Sequence, residues 1–331
     1  LPSCGMVACG IAQNFSHKDT GMTTITVGSR KSKLAMWQTE AVCRMLNERG
    51  IATVISAMET KGDKILDRSI AKIGSKGVFT EELEEQLADG SVDIAVHSAK
   101  DMQSTLPEEF ELIAFTEREK SHDVLLGYAE VDLGDGAAPL TVGTSSVRRV
   151  ALLKHFYPHL RAVPMRGNLQ TRIGKLEAGA CDVLMLAYAG VTRMGYDELI
   201  VHQFDTRDFT PPVGQGCIAV EAAKTLSEEK RGLIRECLNN VESEYCLRAE
   251  RAFLRKLEGG CSIPAFGHAV LKEGSIELTG GLANLDGSWL LKKTLSGAVD
   301  DPERLGRELG GFILDNKGRE TLASIKAELS E

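Results

Sequence analysis

The chain has 331 residues, of which 43% are hydrophobic and 26% charged, with a formal net charge of −8. That length is too great for one ordinary core and predicts two or three domains. The acidic balance argues against a general nucleic-acid partner, and no apolar run approaches the ~18 residues of a membrane span. The eight cysteines form no CxxC pair and, with the histidines, give no zinc-ligand spacing, so no metal is expected. Scattered thiols of this kind fit a reducing compartment.

Residues 1–21 read as a disordered extension. Their apolar piece MVACGIA lacks a basic flank and is short for a signal peptide, so the folded unit is expected from about Met22. TITVGSR predicts a buried strand, and SKLAMWQTEAVCRMLNERG an amphipathic helix ending at Gly50. ATVISAMET follows as a strand, VFTEELEEQLADG as a helix closed by Gly90, and VDIAVHSA as a short apolar strand. The alternation implies a parallel-rich α/β sheet. The pattern then restarts with the strand PLTVGTS, the helix VRRVALLKHF, the strand RAVPM, the helix GNLQTRIGKLEAG and the strand CDVLMLAYAG. TVGSRKS at 26–32 and TVGTSSV at 141–147 are alike, which suggests two α/β halves with ligand-facing loops at equivalent places. From about 240 the character changes. A long helix, SEYCLRAERAFLRKLEGG, leads to Cys261, then come the strands AFGHAVL, SIELTGGLAN and SWLLKKTLS and two helices, a small α+β domain.

Residues 136–176 contain no Asp or Glu where roughly six would be average, yet carry Arg148, Arg149, Lys154, Arg161, Arg166, Arg172 and Lys175. A basic island in an acidic protein suggests a polyanionic ligand. The planar fork of arginine suits carboxylate or phosphate, and helix starts would add backbone N–H groups. The bland alternative is a solvated basic surface. SRKS at 29–32 is a second strand-to-helix site, although Ser and Arg there are often only caps, and it is not a P-loop. AVHSAKD puts His97, Ser98, Lys100 and Asp101 at a strand end, where open α/β sheets bind ligands. In a water-poor cleft a carboxylate at Asp101 would attract a cation by about 4 kcal/mol at ~4 Å and an effective dielectric of ~20. Lys100 as a Schiff-base nucleophile is disfavoured by the adjacent acid, which keeps its ammonium charged. Cys261 follows Gly259–Gly260, which lets a bulky group approach the backbone. A buried structural thiol is the default reading, and no neighbouring His marks a Cys–His hydrolase.

Taken together, the runs VGSRKSKLA, GDKILD, GSKGVFTEELE, VHSAKD, LPEEFEL, VGTSSVRR, RGNLQTR, AYAGVTRMG, PPVGQG and RAERAFLRKLEGGCSIP resemble the porphobilinogen deaminase (hydroxymethylbilane synthase) family. The similarity runs from about Thr24 to the chain end. Gln103 stands where the family usually has Pro, and Pro212 where Ala is usual. The resemblance implies two type II periplasmic-binding-protein-like α/β domains with a central cleft, plus a small C-terminal α+β domain. The divisions would be 22–117 with 216–238, then 118–215, then 239–331. It implies a transferase that condenses four porphobilinogens head to tail on a dipyrromethane primer, held by Cys261 through a thioether, with loss of ammonia. Asp101 would be catalytic. Lys100, Ser145, Ser146, Arg148, Arg149, Arg172 and Gln215 would hold the cofactor, and Arg30, Ser32, Arg166, Arg193 and Phe79 the substrate. Arg161 and Lys175 match no site position. The expected setting is a monomer in the cytoplasm, or a plastid in a photosynthetic eukaryote, handing its product to uroporphyrinogen-III synthase. The competing readings are a solute-binding protein of the same two-lobed build and a lysine-dependent aldolase or decarboxylase.

Overall fold

A computed structural model describes residues 23–60, 80–134, 140–260 and 262–330. The expected extension at 1–21, Phe79 and Cys261 lie outside the described residues.

Two five-stranded sheets follow one plan. In the first lobe, β1 (Thr24–Arg30) is followed by α1 (Lys33–Asn47), β2 (Ala52–Met58), α2 (Glu81–Asp89), β3 (Ile94–Ser98) and β4 (Phe110–Phe115). The chain then crosses over. It forms β5 (Asp123–Leu126), β6 (Thr141–Gly143), α3 (Val147–Phe156), β7 (Arg161–Val163), α4 (Leu169–Glu177), β8 (Val183–Ala187), α5 (Tyr188–Arg193) and β9 (Ile200–Gln203). It returns as β10 (Ile218–Ala223), followed by α6 (Glu228–Leu238).

The sheet orders are β2-β1-β3-β10-β4 and β7-β6-β8-β5-β9. In each, three strands are parallel and the fourth is antiparallel to both neighbours. That antiparallel strand is the first one laid down after a crossover, so each lobe is closed by a strand arriving from the other. The likeness between TVGSRKS and TVGTSSV is thereby explained, since both are the first parallel strand of a lobe running into its helix.

Side-chain chemistry accounts for the helix starts and the cores. Ser32 Oγ accepts from Ala35 N, Ser146 Oγ from Arg149 N and Asn168 Oδ1 from Thr171 N, each relieving a donor that the first turn leaves unpaired. Ile25, Val27, Ile94, Val96 and Val220 pack the first core, and Leu125, Val142, Leu152, Val183 and Met185 the second.

The run CDVLMLAYAG is not all strand. β8 stops at Ala187, and Tyr188–Arg193 coils into α5. A continuous apolar run carries no period that separates strand from buried helix.

The third unit is an antiparallel meander of β11 (Ala265–Lys272), β12 (Ser275–Ala283) and β13 (Leu290–Ala298). It is packed by α7 (Val241–Lys256), α8 (Pro302–Ile313) and α9 (Arg319–Ser330), with Phe253 fully buried among them. Its β12–β13 turn rests on the end of α3, where Gly287 O lies 2.8 Å from His155 Nδ1 and Leu285 O 3.3 Å from Lys154 Nζ. Cys43, Cys181, Cys217 and Cys246 are buried free thiols, and Cys237 is partly buried.

The two crossovers run side by side. Glu119 N donates to Gly216 O at 3.1 Å, and Thr116 N to Ile218 O at 3.1 Å. Gly216 has φ +90°, and a Cβ there would fall 2.3 Å from Glu119 O. Gly216→Ala combines a left-handed backbone with a backbone clash, and is expected to cost about 1–3 kcal/mol. An unchanged urea midpoint in that variant would contradict this account of the crossover.

Candidate active site

β3 runs into a 3-10 turn, Ala99–Asp101, at the point where the lobes meet. The turn is tied to the returning crossover by Ala99 N, which donates to Cys217 O at 3.0 Å. The four polar residues at this strand end divide. His97 faces inward, its Nε2 3.0 Å from Glu221 Oε2 on β10. Ser98 Oγ accepts from Gln38 Nε2 of α1 at 2.9 Å. Lys100 reaches across the cleft, its Nζ donating to Gln215 Oε1 at 3.3 Å. Asp101 is exposed.

Opposite lies the start of α3. Arg148 and Arg149 are 3% and 7% exposed, far from the solvated surface that a basic run usually makes. Both are directed at one acid that lies outside the acid-free window. Arg148 Nη2 donates to Asp123 Oδ2 at 2.5 Å, and Arg149 Nη2 to Asp123 Oδ1 at 2.8 Å. Their Nη1 atoms donate to Thr210 O and Met185 O, each at 2.9 Å. Asp123 is fully buried on β5 and also accepts from Gln215 Nε2 at 2.9 Å. Burial would raise its pKa, but the two guanidiniums overcome that and hold it well below the usual carboxylate range.

The cations outnumber this acid. Burial pushes Lys100 down to about 8, with Arg149 and Arg148 adding to the shift and Asp101 and Asp123 opposing it. Asp101 favours the charged Lys100 ammonium, as the KD pair leads one to expect, but burial outweighs it. The environment also includes the desolvated cleft and two arginines that the chain order does not show. Arg172 is pushed down to about 10 by burial and then by Arg149, against Asp101. Its Nε donates to Gly167 O at 2.7 Å.

The remaining expected site residues are more dispersed. Ser145 Oγ accepts from Met165 N at 2.9 Å, while Ser32 and Ser146 are occupied as helix caps. Arg193 of α5 donates to Gly216 O at 2.8 Å and lies 5.5 Å from the Trp37 ring of α1, bridging the lobes. Arg30 and Arg166 are partly buried, and Arg161 and Lys175 are exposed. Gln103 donates from Nε2 to Thr80 Oγ1 at 3.5 Å, and its backbone carbonyl accepts from Arg251 Nη2 at 2.7 Å. Pro212 O accepts from Gln215 N at 3.2 Å. Among the described residues, no group of three or more His, Cys, Asp or Glu is placed to hold a metal, and no helix is long and apolar enough to cross a membrane.

Residues 25–231 match the family model described as porphobilinogen deaminase, dipyromethane cofactor binding domain, and residues 244–315 match the porphobilinogen deaminase C-terminal domain. This chain belongs to the porphobilinogen deaminase family. The porphobilinogen deaminase of Desulfosudis oleivorans is 56% identical over 92% of this chain and 98% of its own. That of Cytophaga hutchinsonii is 51% identical over 93% and 99%. Among solved structures, the Bordetella pertussis BvgS VFT2 domain aligns with 69% of this chain and 92% of its own at 15% identity, with a TM-score of 0.41.

The family is a transferase of porphyrin biosynthesis, and the larger matched region is its cofactor-binding domain. The residues present fit a dipyrromethane with its several carboxylates. The buried Nε atoms of Arg148 and Arg149 have no hydrogen-bond partner among the described residues, and Lys100 and Arg172 are desolvated cations. Incoming carboxylates would pair with Lys100, Arg149 and Arg172. Sequence reasoning missed Asp123, because its only signal is a lone acid in the four-residue strand DVLL, 25 and 26 residues before the arginines it holds.

Proposed function

We propose that the cleft between the lobes assembles hydroxymethylbilane, with Asp101 as its catalytic residue and Cys261 as the anchor of the primer. The carrying observation is the pairing of an exposed carboxylate with a surplus of desolvated cations at one strand end: Asp101 beside Lys100, Arg148, Arg149 and Arg172. Each porphobilinogen bears an acetate and a propionate, so a growing pyrrole chain is a polyanion. Lys100, Arg149 and Arg172 would grip those carboxylates through charge-assisted hydrogen bonds. Arg148 and Gln215 would brace that grip from behind. Ser145, Ser146, Arg30, Ser32, Arg166, Arg193 and Phe79 would extend the binding surface along the cleft.

When bound, the dipyrromethane supplies a pyrrole α-carbon as the growing end. Loss of ammonia from the incoming porphobilinogen, and the attack that follows, both develop positive charge on pyrrole nitrogens. A carboxylate at Asp101 would stabilise that charge and take the proton that the attacking α-carbon loses once the new C–C bond has formed. Paired with the substrates' carboxylates, the nearby cations would be kept from opposing the developing charge.

The domain divisions proposed are 22–117 with 216–238, 118–215 and 239–331. The enzyme is proposed to work as a monomer in the cytoplasm, or in a plastid if its source is a photosynthetic eukaryote, and to hand its product to uroporphyrinogen-III synthase.

The test is the intact mass of the denatured protein beside Cys261→Ser. The expected result is an excess equal to two porphobilinogens less two ammonias, absent from the variant. A bare wild-type mass that stays bare after incubation with porphobilinogen would overturn this reading in favour of a binding protein.

A further inference from the structure

The proposed roles give no task to Asp123, a buried charge that lies against the site itself. Asp123 does not face the cleft. It sits behind the arginines, fully buried, with both oxygens occupied. We propose that Asp123 is a positioning residue for the carboxylate-binding site, dividing Arg148 and Arg149 between its two oxygens and setting Lys100 through Gln215.

Three observations carry this. First, the connections are continuous across the lobes. Lys100 Nζ donates to Gln215 Oε1, Gln215 Nε2 donates to Asp123 Oδ1, and Asp123 holds one Nη2 of each arginine. A buried Gln215, 1% exposed, relays the direction, since its carbonyl faces the lysine and its amide the aspartate. Its Nε2 also donates to Ser121 O at 2.7 Å, which fixes that orientation.

Second, each guanidinium is satisfied on one side only. Nη1 goes to a backbone carbonyl and Nη2 to Asp123, while Nε is buried without a partner among the described residues. Arginine presents its donors as a rigid planar fork, so fixing two of its nitrogens fixes the direction of the third. Asp123 therefore aims the remaining donors.

Third, the charge balance depends on it. The groups acting on Lys100 are Asp101, Asp123, Arg148 and Arg149. Asp123 itself meets Arg148, Arg149 and Gln215, with His122, whose pKa burial lowers, next to it in the chain. Without Asp123 the two arginines would stand beside Lys100 with only Asp101 to offset them.

Asp123→Asn removes the charge and nearly keeps the shape, whereas Asp123→Glu keeps the charge and displaces it by one methylene. The probe is acetic anhydride, with labelling of Lys100 followed by peptide mass across pH in the full chain, and kcat and KM for porphobilinogen measured alongside. In Asp123→Asn the Lys100 labelling midpoint is expected to move to a pH lower by about one, from the loss of a neighbouring unit charge in a partly screened site. KM should rise more than kcat falls. In Asp123→Glu the midpoint should stay with the wild type.

An unmoved midpoint in Asp123→Asn, or one that moves equally in both variants, would overturn the proposal, because a purely structural role predicts either pattern. If Asp123→Asn does not fold, Gln215→Leu cuts the relay and leaves the arginine pair intact. The Lys100 midpoint should then fall, and an unchanged one overturns the proposal. The inference rests on the proposed function, but its failure is separable: a wild type that never gains the primer mass defeats the function and leaves the Lys100 midpoint unaffected.

Discussion

Asp101→Asn should fold normally, carry the primer mass and lose turnover by about 10²–10⁴-fold, the range for removing a positioned acid–base or charge-stabilising group. The substitution keeps the side-chain size at an exposed turn position, so no packing is lost. What disappears is a negative charge beside Lys100 and Arg172, on both of which Asp101 acts electrostatically. If the acid only moderated those cations, its loss would strengthen carboxylate binding and lower KM with little effect on kcat. If it stabilises charge on the reacting pyrroles, kcat falls. The measurement is single-turnover ammonia release from the mass-verified, primed protein. Near-normal release would remove Asp101 from the chemistry. Weighing the protein first matters, because an unprimed variant would be inactive for a different reason.

Glu250→Gln is expected to destabilise the protein by about 3–5 kcal/mol, the cost of stranding a buried partner charge. Glu250 is fully buried on α7, and its oxygens accept from Arg118 Nη1 at 2.7 Å and Nη2 at 2.8 Å. They also accept from Gly214 N at 2.8 Å and Ala269 N at 2.7 Å. Arg118 lies at the start of the first crossover and donates from Nε to Gln215 O at 3.1 Å on the second. Burial would lower the pKa of this guanidinium, but Glu250 overcomes that and holds it above its ordinary value. A glutamine can accept through only one of its two terminal atoms and carries no charge. It would leave Arg118 desolvated and at least one backbone donor unpaired. Urea unfolding would show the loss as a lower midpoint. Arg118→Met in the same chain should recover part of it, since the stranded cation is then gone. A midpoint equal to wild type in the single variant would mean that water repairs the site.

Much of the architecture is legible in the chain because it rests on local signals. The strand-to-helix joints at Arg30 and Ser146, the Gly50 and Gly90 stops and the terminal α+β unit each announce themselves through period, cap or turn residue. The strands that close each lobe do not. DVLL is only four residues, and IAVEAA carries a buried Glu221 that makes sense only beside His97. Both belong to their sheets through pairing across long stretches of chain, which no local pattern encodes.

The candidate site divides the same way. Of the seven cations in the basic island, Arg148, Arg149 and Arg172 lie with Lys100 in one electrostatic group. The acid that organises it lies outside the window whose lack of acids drew attention, and Arg118 and Glu250 are 132 residues apart. Arg193 is named by its motif, but its contacts with Trp37 and Gly216 depend on how α1 and α5 meet.

The paired crossovers also limit how the two lobes can travel. A single connection would let one lobe twist and slide against the other. Two chain passes bonded to each other, Thr116 to Ile218 and Glu119 to Gly216, form a narrow ribbon. A ribbon resists stretching and in-plane sliding but bends easily across its flat face, so the lobes keep one soft degree of freedom, a hinge rotation. Arg118 also pins the third unit to that ribbon through Glu250. Opening about that hinge would carry the third unit along with the second lobe, because the β12–β13 turn is bonded to the end of α3.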